Sequence, residues 1–295
     1  MAFKMVIYIL VSIMVIFILI FRFTSKITSD IISKNLKSNA EYLTTRTVLK
    51  IEKVLSTLQR IPENYAEIIQ QNEFNEDEIN RLLRIMVENN REITGAFIAF
   101  EPYYKSCSQR FYSLYYFRKD NKITFKNLGS DQYVYFYMDW YQIPKELEKS
   151  LWSEPYFDTG GADMVISTFS VPLYSVKDQQ RKFIGILTID LSLEWLQQYV
   201  NEIKVYESGY GFMISRTGSV ITHPKKDLIM NETIFSIADE QKSPVLRKIG
   251  RSMINGESSF AEIEYRNINT GKLSWISYAP IPLNLWSLGI VFPVD

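Results

Sequence analysis

The sequence predicts an α+β protein in which an N-terminal transmembrane helix and a long stalk helix precede two tandem antiparallel-sheet lobes. Three features of the 295 residues predict this fold. An uncharged apolar run opens the chain, apolar residues then recur at helical spacing, and two similar sets of short β-rich runs fill the remainder. We expect an anchor at residues 1–24, a helical stalk at 25–90, and lobes at 91–203 and 204–295.

The apolar run extends from Met5 to Phe21 and contains 17 residues without a charge, between Lys4 and Arg22. At about 1.5 Å per residue it covers about 26 Å, close to the hydrocarbon thickness of a bilayer. A cleaved signal peptide is the alternative, but the run exceeds the usual apolar core of such peptides and no small-residue cleavage site follows it. The sequence therefore predicts an uncleaved anchor, and the flanking charges are too balanced to fix its orientation.

The stalk is predicted from apolar residues that recur at helical spacing from Ile27 to Ile61 and resume from Ile79 to Val87. Pro62 should break or kink this helix, because proline removes a backbone donor from a helix interior. A stripe of this kind packs on its own domain or forms a dimer seam. We expect it to pack on its domain, with a parallel homodimer as an additional use of the exposed part.

The two lobes are predicted from a change of texture at Ile93, where short β-rich runs separated by turns begin. A second, weaker copy of the same order begins at Tyr210. Gly95-Ala-Phe-Ile matches Gly211-Phe-Met-Ile in these copies. The repetition predicts two antiparallel sheets, each with one face packed on a helix and the other free to form a cavity.

Composition excludes several functions. Lys and Arg number 33, as do Asp and Glu, so the chain lacks the net positive charge on which nucleic-acid binding depends, and we expect no nucleic-acid partner. The single cysteine, Cys107, excludes an intrachain disulfide and a cysteine zinc site. The single histidine, His223, excludes a histidine-rich metal centre, and we expect it to be structural. We expect neither metal nor cofactor.

Aromatic residues concentrate in the first lobe, where 16 of the 42 lie between Phe97 and Tyr141. Many of them are ordinary strand formers. The cluster from Tyr133 to Tyr141 differs, because it begins a segment rich in turn residues, and binding residues favour loops carried on a rigid sheet. Trp140 belongs to this cluster, with plain core packing as the alternative.

Three polar residues, Tyr156, Asp158 and Asp190, are candidates for binding. Strand alternation places Thr188 and Asp190 on one face of the same strand, with an N-cap for the following helix as the alternative role of Asp190. Tyr156 and Asp158 share a side if their segment is extended. The alternative for that segment is an Asp-Thr-Gly-Gly turn.

The order of these segments resembles a known family. The segments are DWYQIP (139–144), WSEPYFDTGG (152–161), TFSVPLY (168–174), GILTIDLSLEWL (185–196) and GYGFMISRTGSVITHP (209–224). Together they resemble a double Cache domain, the extracellular sensor module of bacterial transmembrane receptors, from about Ile27 to Val294. The resemblance implies two stacked PAS-like lobes on a long helix and a small ligand in the first, membrane-distal lobe. It also implies a signal passed through the membrane to a cytoplasmic output.

Family members that bind amino acids share a Tyr, an Arg, a Trp-Tyr pair, a Tyr with an Asp two residues on, and a later Asp that ends a strand. The matching positions here are Tyr133, Met138 in place of the Arg, Trp140 with Tyr141, Tyr156 with Asp158, and Asp190. The resemblance implies that all of these except Met138 bind the ligand. Met138 cannot hold a carboxylate as the family's Arg does, and the remaining carboxylates and aromatic rings suit an ammonium group. The resemblance thus implies an amine or another cationic metabolite, although Arg118 or backbone N–H groups could still hold a carboxylate.

We therefore expect a non-enzymatic, ligand-binding sensor in a bacterial inner membrane, facing the periplasm. Receptors of this type usually continue into a second transmembrane helix and an output domain, so the chain is expected to be truncated. One alternative is a hydrolase that uses two carboxylates as acid and base, chosen among Glu154, Asp158, Asp163 and Asp190. The other is a structural or adhesive ectodomain whose aromatic residues are all core.

Overall fold

The structure is a computed structural model that describes residues 2–72, 74–120, 122–177, 180–203, 209–266 and 273–293. Within these ranges, the side chains outside the description are those of residues 2–9, 11–12, 176–177, 180, 262–266, 273 and 293. The described helices are α1 (Ala2–Gln71), α2 (Glu76–Glu88), α3 (Asp139–Leu147), α4 (Leu193–Asn201), α5 (Ile234–Glu240) and α6 (Pro244–Ile254).

Two antiparallel sheets follow α1 and α2. The strands of the first sheet are β1 (Ile93–Phe100), β2 (Ser113–Lys119), β3 (Lys122–Lys126), β4 (Leu151–Trp152), β5 (Tyr156–Phe157), β6 (Val165–Lys177) and β7 (Gln180–Ser192). Those of the second are β8 (Tyr210–Ile214), β9 (Val220–Thr222), β10 (Ser259–Arg266), β11 (Leu273–Ile281) and β12 (Trp286–Pro293). The predicted α+β class with antiparallel sheets is confirmed.

Helix α1 runs for 70 residues without interruption, and Pro62 lies inside it. The predicted break at Pro62 is therefore wrong, since the chain stays helical to Gln71. Leu58 and Ala66 are buried on either side of the proline, so packing on the first lobe offsets the lost hydrogen bond. The interruption falls instead after Gln71, and α2 begins at Glu76. Its N-cap is Asn75, whose side chain accepts a hydrogen bond from the N–H of Glu78 in a capping box.

The predicted anchor at 1–24 coincides with the first part of α1. Among the residues that the structure describes, no helix is long and apolar enough to cross a membrane. The anchor is therefore not confirmed, and the side chains of residues 1–9 and 11–12 lie outside the description. The large apolar side chains that are described between Leu10 and Phe23 are all exposed.

The first sheet has the strand order β3-β2-β1-β7-β6-β4, and β5 also pairs with β6. One face packs against α1 and α2 through residues such as Ile98, Leu187 and Ile189. The opposite face carries a separate aromatic cluster that includes Phe97 and Tyr115. The predicted alternation along β7 is thus observed, and the free face carries the candidate site.

The second sheet has the order β10-β11-β12-β8-β9. Its side chains on one face pack with α5 and α6, for example Ile276 with Leu246. Its other face meets α1, where the Thr44 hydroxyl lies 2.8 Å from the Ser277 hydroxyl, and Ile290 joins the core that α1 shares with the first lobe. A single helix therefore supports both sheets, which are stacked along its length.

Candidate functional site

Two buried carboxylates converge on one phenol at the free face of the first sheet. Asp190 lies two residues before the end of β7, Asp158 follows β5, and each is 4% exposed. The Tyr115 hydroxyl lies 2.9 Å from Oδ2 of Asp190 and 3.4 Å from Oδ2 of Asp158. Two residues that are 32 positions apart in sequence thus lie within hydrogen-bond reach of the same phenol.

Strand register supplies the second partner of Asp190. Thr168 on β6 is directly opposite Asp190, and its hydroxyl donates a 2.7 Å hydrogen bond to Oδ1. That hydroxyl also lies 2.8 Å from the Tyr156 hydroxyl. Since Thr168 has one proton and gives it to the carboxylate, Tyr156 must donate to Thr168. Tyr156 therefore reaches the carboxylate pair through Thr168.

The loop after β5 holds Asp158 in place. The backbone N–H of Ala162 donates a 2.7 Å hydrogen bond to Oδ2, and the Tyr133 hydroxyl lies 3.4 Å from Oδ1. The backbone N–H of Gly161 donates to the Asp158 carbonyl, so the predicted Asp-Thr-Gly-Gly turn is also present. A Cβ at Gly161 would lie 2.0 Å from Oδ2, and the turn therefore needs glycine to fold around the carboxylate.

Helix α4 has its own N-cap. The side chain of Ser192 accepts a hydrogen bond from the N–H of Glu194. The alternative role of Asp190 as the N-cap of this helix is therefore wrong.

Gly95 on β1 makes room for Asp190 and Tyr115. It is directly opposite Asp190 on the neighbouring strand. A Cβ at this position would lie 2.6 Å from Oδ2 of Asp190 and 2.7 Å from the Tyr115 hydroxyl. The missing side chain lets both polar groups meet at one point of the sheet.

Aromatic rings cover the same face. The Phe97 ring centroid lies 5.3 Å from those of Tyr115 and Trp140, in edge contacts with both. Tyr141 is fully buried beside Trp140, but its hydroxyl donates a 2.8 Å hydrogen bond to Glu101 and so leads away from the carboxylates. The structure thus brings Tyr133, Tyr156 and both Asp residues together by hydrogen bonds, whereas Trp140 and Tyr141 contribute rings.

Burial controls the ionisation of this site. Burial raises the pKa of Asp190 to about 7, and the nearby charge of Asp158 raises it further. Hydrogen bonds from Thr168 and Tyr115 act in the opposite direction and lower this pKa. Burial also raises the pKa of Asp158, and the Ala162 N–H opposes that shift. Among the residues with described side chains, the ion pairs include neither carboxylate. Within the described part of the chain, the site is therefore an acidic pair that forms no ion pair with a lysine, arginine or histidine.

The same described residues hold no group of three His, Cys, Asp or Glu side chains that could bind a metal. Hydrolytic chemistry would need carboxylates across an open cleft, and Asp158 and Asp190 are buried. The two other candidate acids have surface partners. Glu154 pairs with Arg216, and Asp163 pairs with Lys119.

A cleft of about 370 Å³ borders the site and reaches the second lobe. Met138, Trp140 and Tyr156 line it, together with Glu154 and Arg216. Arg216 Nε lies 3.3 Å from Oε1 of Glu154. Met138, at the position where the resemblance implies an Arg, is half-buried and packs against the aromatic cluster.

Two further residues join the lobes beside this cleft. The Thr217 hydroxyl donates a 2.9 Å hydrogen bond to Oε2 of Glu154. Next to Glu154, the N–H of Ser153 donates a 2.8 Å hydrogen bond to the Thr168 carbonyl. The segment between β4 and β5 therefore contacts both lobes.

Sequence reasoning missed Tyr115, Thr168 and Gly95. Tyr115 lies in a period-two aromatic run that was interpreted as ordinary strand composition. Thr168 could have been found, because the site face of β6 carries Thr168 and Ser170 between apolar neighbours. Gly95 matches Gly211 in the internal repeat, and this match carries no sign of a role beside a carboxylate.

Two families of sensor domains match overlapping parts of the chain. Residues 79–198 match the first PDC sensor domain of methyl-accepting chemotaxis protein-like receptors. Residues 159–290 match the Cache 3/Cache 2 fusion domain. Together the two matches span residues 79–290 and confirm the resemblance to PDC and Cache sensor domains.

One curated relative is a chemotaxis receptor. Methyl-accepting chemotaxis protein McpC of Bacillus subtilis is 29% identical over 158 residues, which are 50% of this chain and 22% of that protein. The chain thus spans about a fifth of the length of this curated relative. These matches are to chemotaxis receptors, and the chain is a sensor domain rather than an enzyme.

Solved structures share the fold. The extracellular domain of mmHK1S-Z3, described as a histidine kinase, is 23% identical with a TM-score of 0.72, covering 87% of this chain and 93% of that one. The ligand-binding domain of the Pseudomonas aeruginosa amino acid chemoreceptor PctB, solved with L-Gln, is 19% identical with a TM-score of 0.61. That match covers 88% of this chain and 91% of the PctB domain.

Proposed function

We propose that this chain is the sensing part of a membrane-anchored bacterial receptor, and that the site around Asp158 and Asp190 binds a small amine. The uncompensated pair of buried carboxylates is the observation that carries this proposal. Burying a charge without a partner is costly, and an ammonium ligand would supply the missing partner. A purely structural face would gain nothing from two such acids.

The choice of an amine over an amino acid is supported by Met138. A thioether cannot form the paired hydrogen bonds with which a guanidinium holds a carboxylate. The aromatic rings of Trp140 and Tyr133 suit a cation, because ring faces attract positive charge. PctB was solved with L-Gln, which carries both an ammonium group and a carboxylate. This chain has side chains that suit the ammonium group of such a ligand.

Membrane anchoring, dimerisation and an output domain are proposed from other features of the chain. The exposed apolar side chains between Leu10 and Phe23 support an anchor in the bacterial inner membrane, with the sensor facing the periplasm. The exposed part of α1 would pair with a second copy in a parallel homodimer. The matched relatives support an output beyond the membrane, which would lie outside this chain.

Calorimetric titration of the full chain in detergent tests the ligand class. We expect butylamine to bind the wild type, and Asp158→Asn and Asp190→Asn to weaken it at least tenfold. Asp163→Asn is the matched control, because this exposed carboxylate lies in the same loop and its Oδ1 accepts only from the Gly160 N–H. Binding of glutamine or glutarate, without binding of butylamine, would overturn the proposal.

Thermal unfolding gives an independent readout of the same binding. An amine at a hundred times its Kd should stabilise the native chain by about 2.7 kcal/mol. The stabilisation should be kept in Asp163→Asn and lost in Asp190→Asn.

A further inference from the structure

The site face carries a second pair of polar residues beside the carboxylates. On β6 and β7, Thr168 is opposite Asp190, and Ser170 is opposite Thr188 one step further along both strands. Residues two apart on a strand point to the same side, so all four side chains face the site. The four form two adjacent rungs, of which the first is acidic and the second neutral.

The second rung is unsatisfied. Ser170 and Thr188 are each 1% exposed, and neither hydroxyl has a hydrogen-bond partner among the described residues. The hydroxyl of Thr168 on the first rung is fully engaged, by contrast. Buried hydroxyls nearly always have partners, and two orphans on one rung of a ligand-binding face point to a missing third group.

The surroundings limit the chemistry of that group. Phe97 flanks Thr188 on β1, and Leu151 flanks Ser170 on β4, so the rung has apolar neighbours on both sides. The next rung pairs Pro172 with Ile186 and is apolar. No described Lys, Arg, Asp or Glu is paired with either residue of the second rung in the sheet.

We propose that the ligand is an amine that also carries a neutral hydroxyl or carbonyl oxygen, held by Ser170 and Thr188. This inference rests on the proposed amine site at Asp190. Residues two positions apart along one strand, such as Thr188 and Asp190, are about 7 Å apart. The ammonium and the oxygen of the ligand should therefore be separated by about the length of a four-carbon chain. A hydroxyl can donate to one side chain and accept from the other, and a carbonyl can accept from both.

Four matched compounds test this in titrations of the full chain in detergent at pH 8. They are butylamine, 4-amino-1-butanol, 1,4-diaminobutane and 4-aminobutanoate. We expect 4-amino-1-butanol to bind at least tenfold more tightly than each of the other three. In the double variant Ser170→Ala with Thr188→Val, its affinity should fall to that of butylamine, whose own affinity should stay unchanged.

The control is Thr222→Val. Thr222 on β9 is also fully buried with a hydroxyl that has no partner among the described residues, but it lies in the second lobe. It should leave all four affinities unchanged. If the double variant does not fold, the single variant Ser170→Ala provides the same comparison with a partial loss.

The outcomes separate the two proposals. Equal affinities for butylamine and 4-amino-1-butanol would overturn the second-rung inference and leave the amine site standing. Tightest binding of 1,4-diaminobutane or 4-aminobutanoate would overturn it as well, since the second group would then be charged. If none of the four binds, both proposals are wrong.

Discussion

The hydroxyl of Tyr115 donates a 2.9 Å hydrogen bond to Asp190 from a position that is itself almost fully buried. Burial and the two nearby carboxylates raise the pKa of Tyr115 well above its ordinary value, so the phenol keeps its proton. It is therefore a permanent donor that stabilises the charged form of Asp190. Opposing it, desolvation and the charge of Asp158 favour the neutral acid.

Amine binding should strengthen as pH rises. The groups that face Asp190 are Asp158, Thr168 and the phenols of Tyr115 and Tyr156, and with them its pKa is about 7. An ammonium prefers the carboxylate, so below pH 7 binding must release a proton, and affinity should fall by up to about tenfold per pH unit. Titrations of butylamine from pH 5.5 to 8.5 check this. A flat profile for the wild type would contradict it.

Two variants should reveal opposite effects of pH on stability. The native pKa of Asp190 is raised from 3.8 to about 7, so its contribution to stability falls as pH rises from about 4 to 7. Burial lowers the native pKa of His223 from 6.5 to about 4, and its contribution falls as pH drops through that window. The effect is about 4 kcal/mol for Asp190 and about 3 kcal/mol for His223, and the two oppose each other between pH 4 and 6.5.

Urea unfolding at pH 4.5 to 7.5 separates these contributions. Relative to the wild type, Asp190→Asn should become more stable as pH rises. His223→Asn, which keeps an acceptor for the Lys225 N–H, should become less stable as pH rises. Slopes of the same sign in both variants would disagree with the assignment.

Gly95→Ala should eliminate amine binding. Its Cβ would lie 2.6 Å from Oδ2 of Asp190, so either the carboxylate or Tyr115 must move, at a cost of about 1–3 kcal/mol in stability. The comparison variant is Gly256→Ala, which meets no atom within 4 Å but has φ of +75°. It should lose about 1 kcal/mol through backbone strain and bind amines normally. Unimpaired titrations of Gly95→Ala would remove this glycine from the site.

Met138→Arg should extend binding to amino acids. A guanidinium at this position would lie beside Trp140 in the cleft, where it could hold a carboxylate bidentately. We expect the affinity for L-glutamine to rise at least tenfold. Met164→Arg is the control, because Met164 packs against the same aromatic cluster from the loop before β6. An equal gain in both variants would indicate a general effect of added charge instead.

Short-range patterns predicted much of the fold and part of the site. Alternation along β7 placed Thr188 and Asp190 on one face, since that depends only on a period of two residues. The partners of Asp190 could not be predicted in this way. Gly95 reaches it through the pairing of β1 with β7, and the register between two strands so far apart in sequence is not encoded locally. Thr168 reaches it through the neighbouring strand β6, whose register with β7 shifts between Leu173 and Tyr174 and so does not follow from simple alternation.

Pro62 shows that a local sequence rule can also predict a feature that the fold does not have. A local rule predicted a helix break, but the residues on either side of the proline are buried against the first lobe. Tertiary packing therefore outweighed a local preference, as it commonly does. The family resemblance supplied Tyr133 and Trp140, which no spacing rule would have selected among 16 aromatic residues.

Ser153 and Glu154 are neighbours in the chain, yet Ser153 is bonded to β6 and Glu154 to the turn between β8 and β9. One peptide unit thus spans the boundary between the lobes, with no slack segment to absorb displacement. A shift of β6 by a fraction of an ångström, such as one caused by repositioning Thr168, would pull directly on Thr217. Along this edge the two lobes are linked through the hydrogen bonds of two consecutive residues.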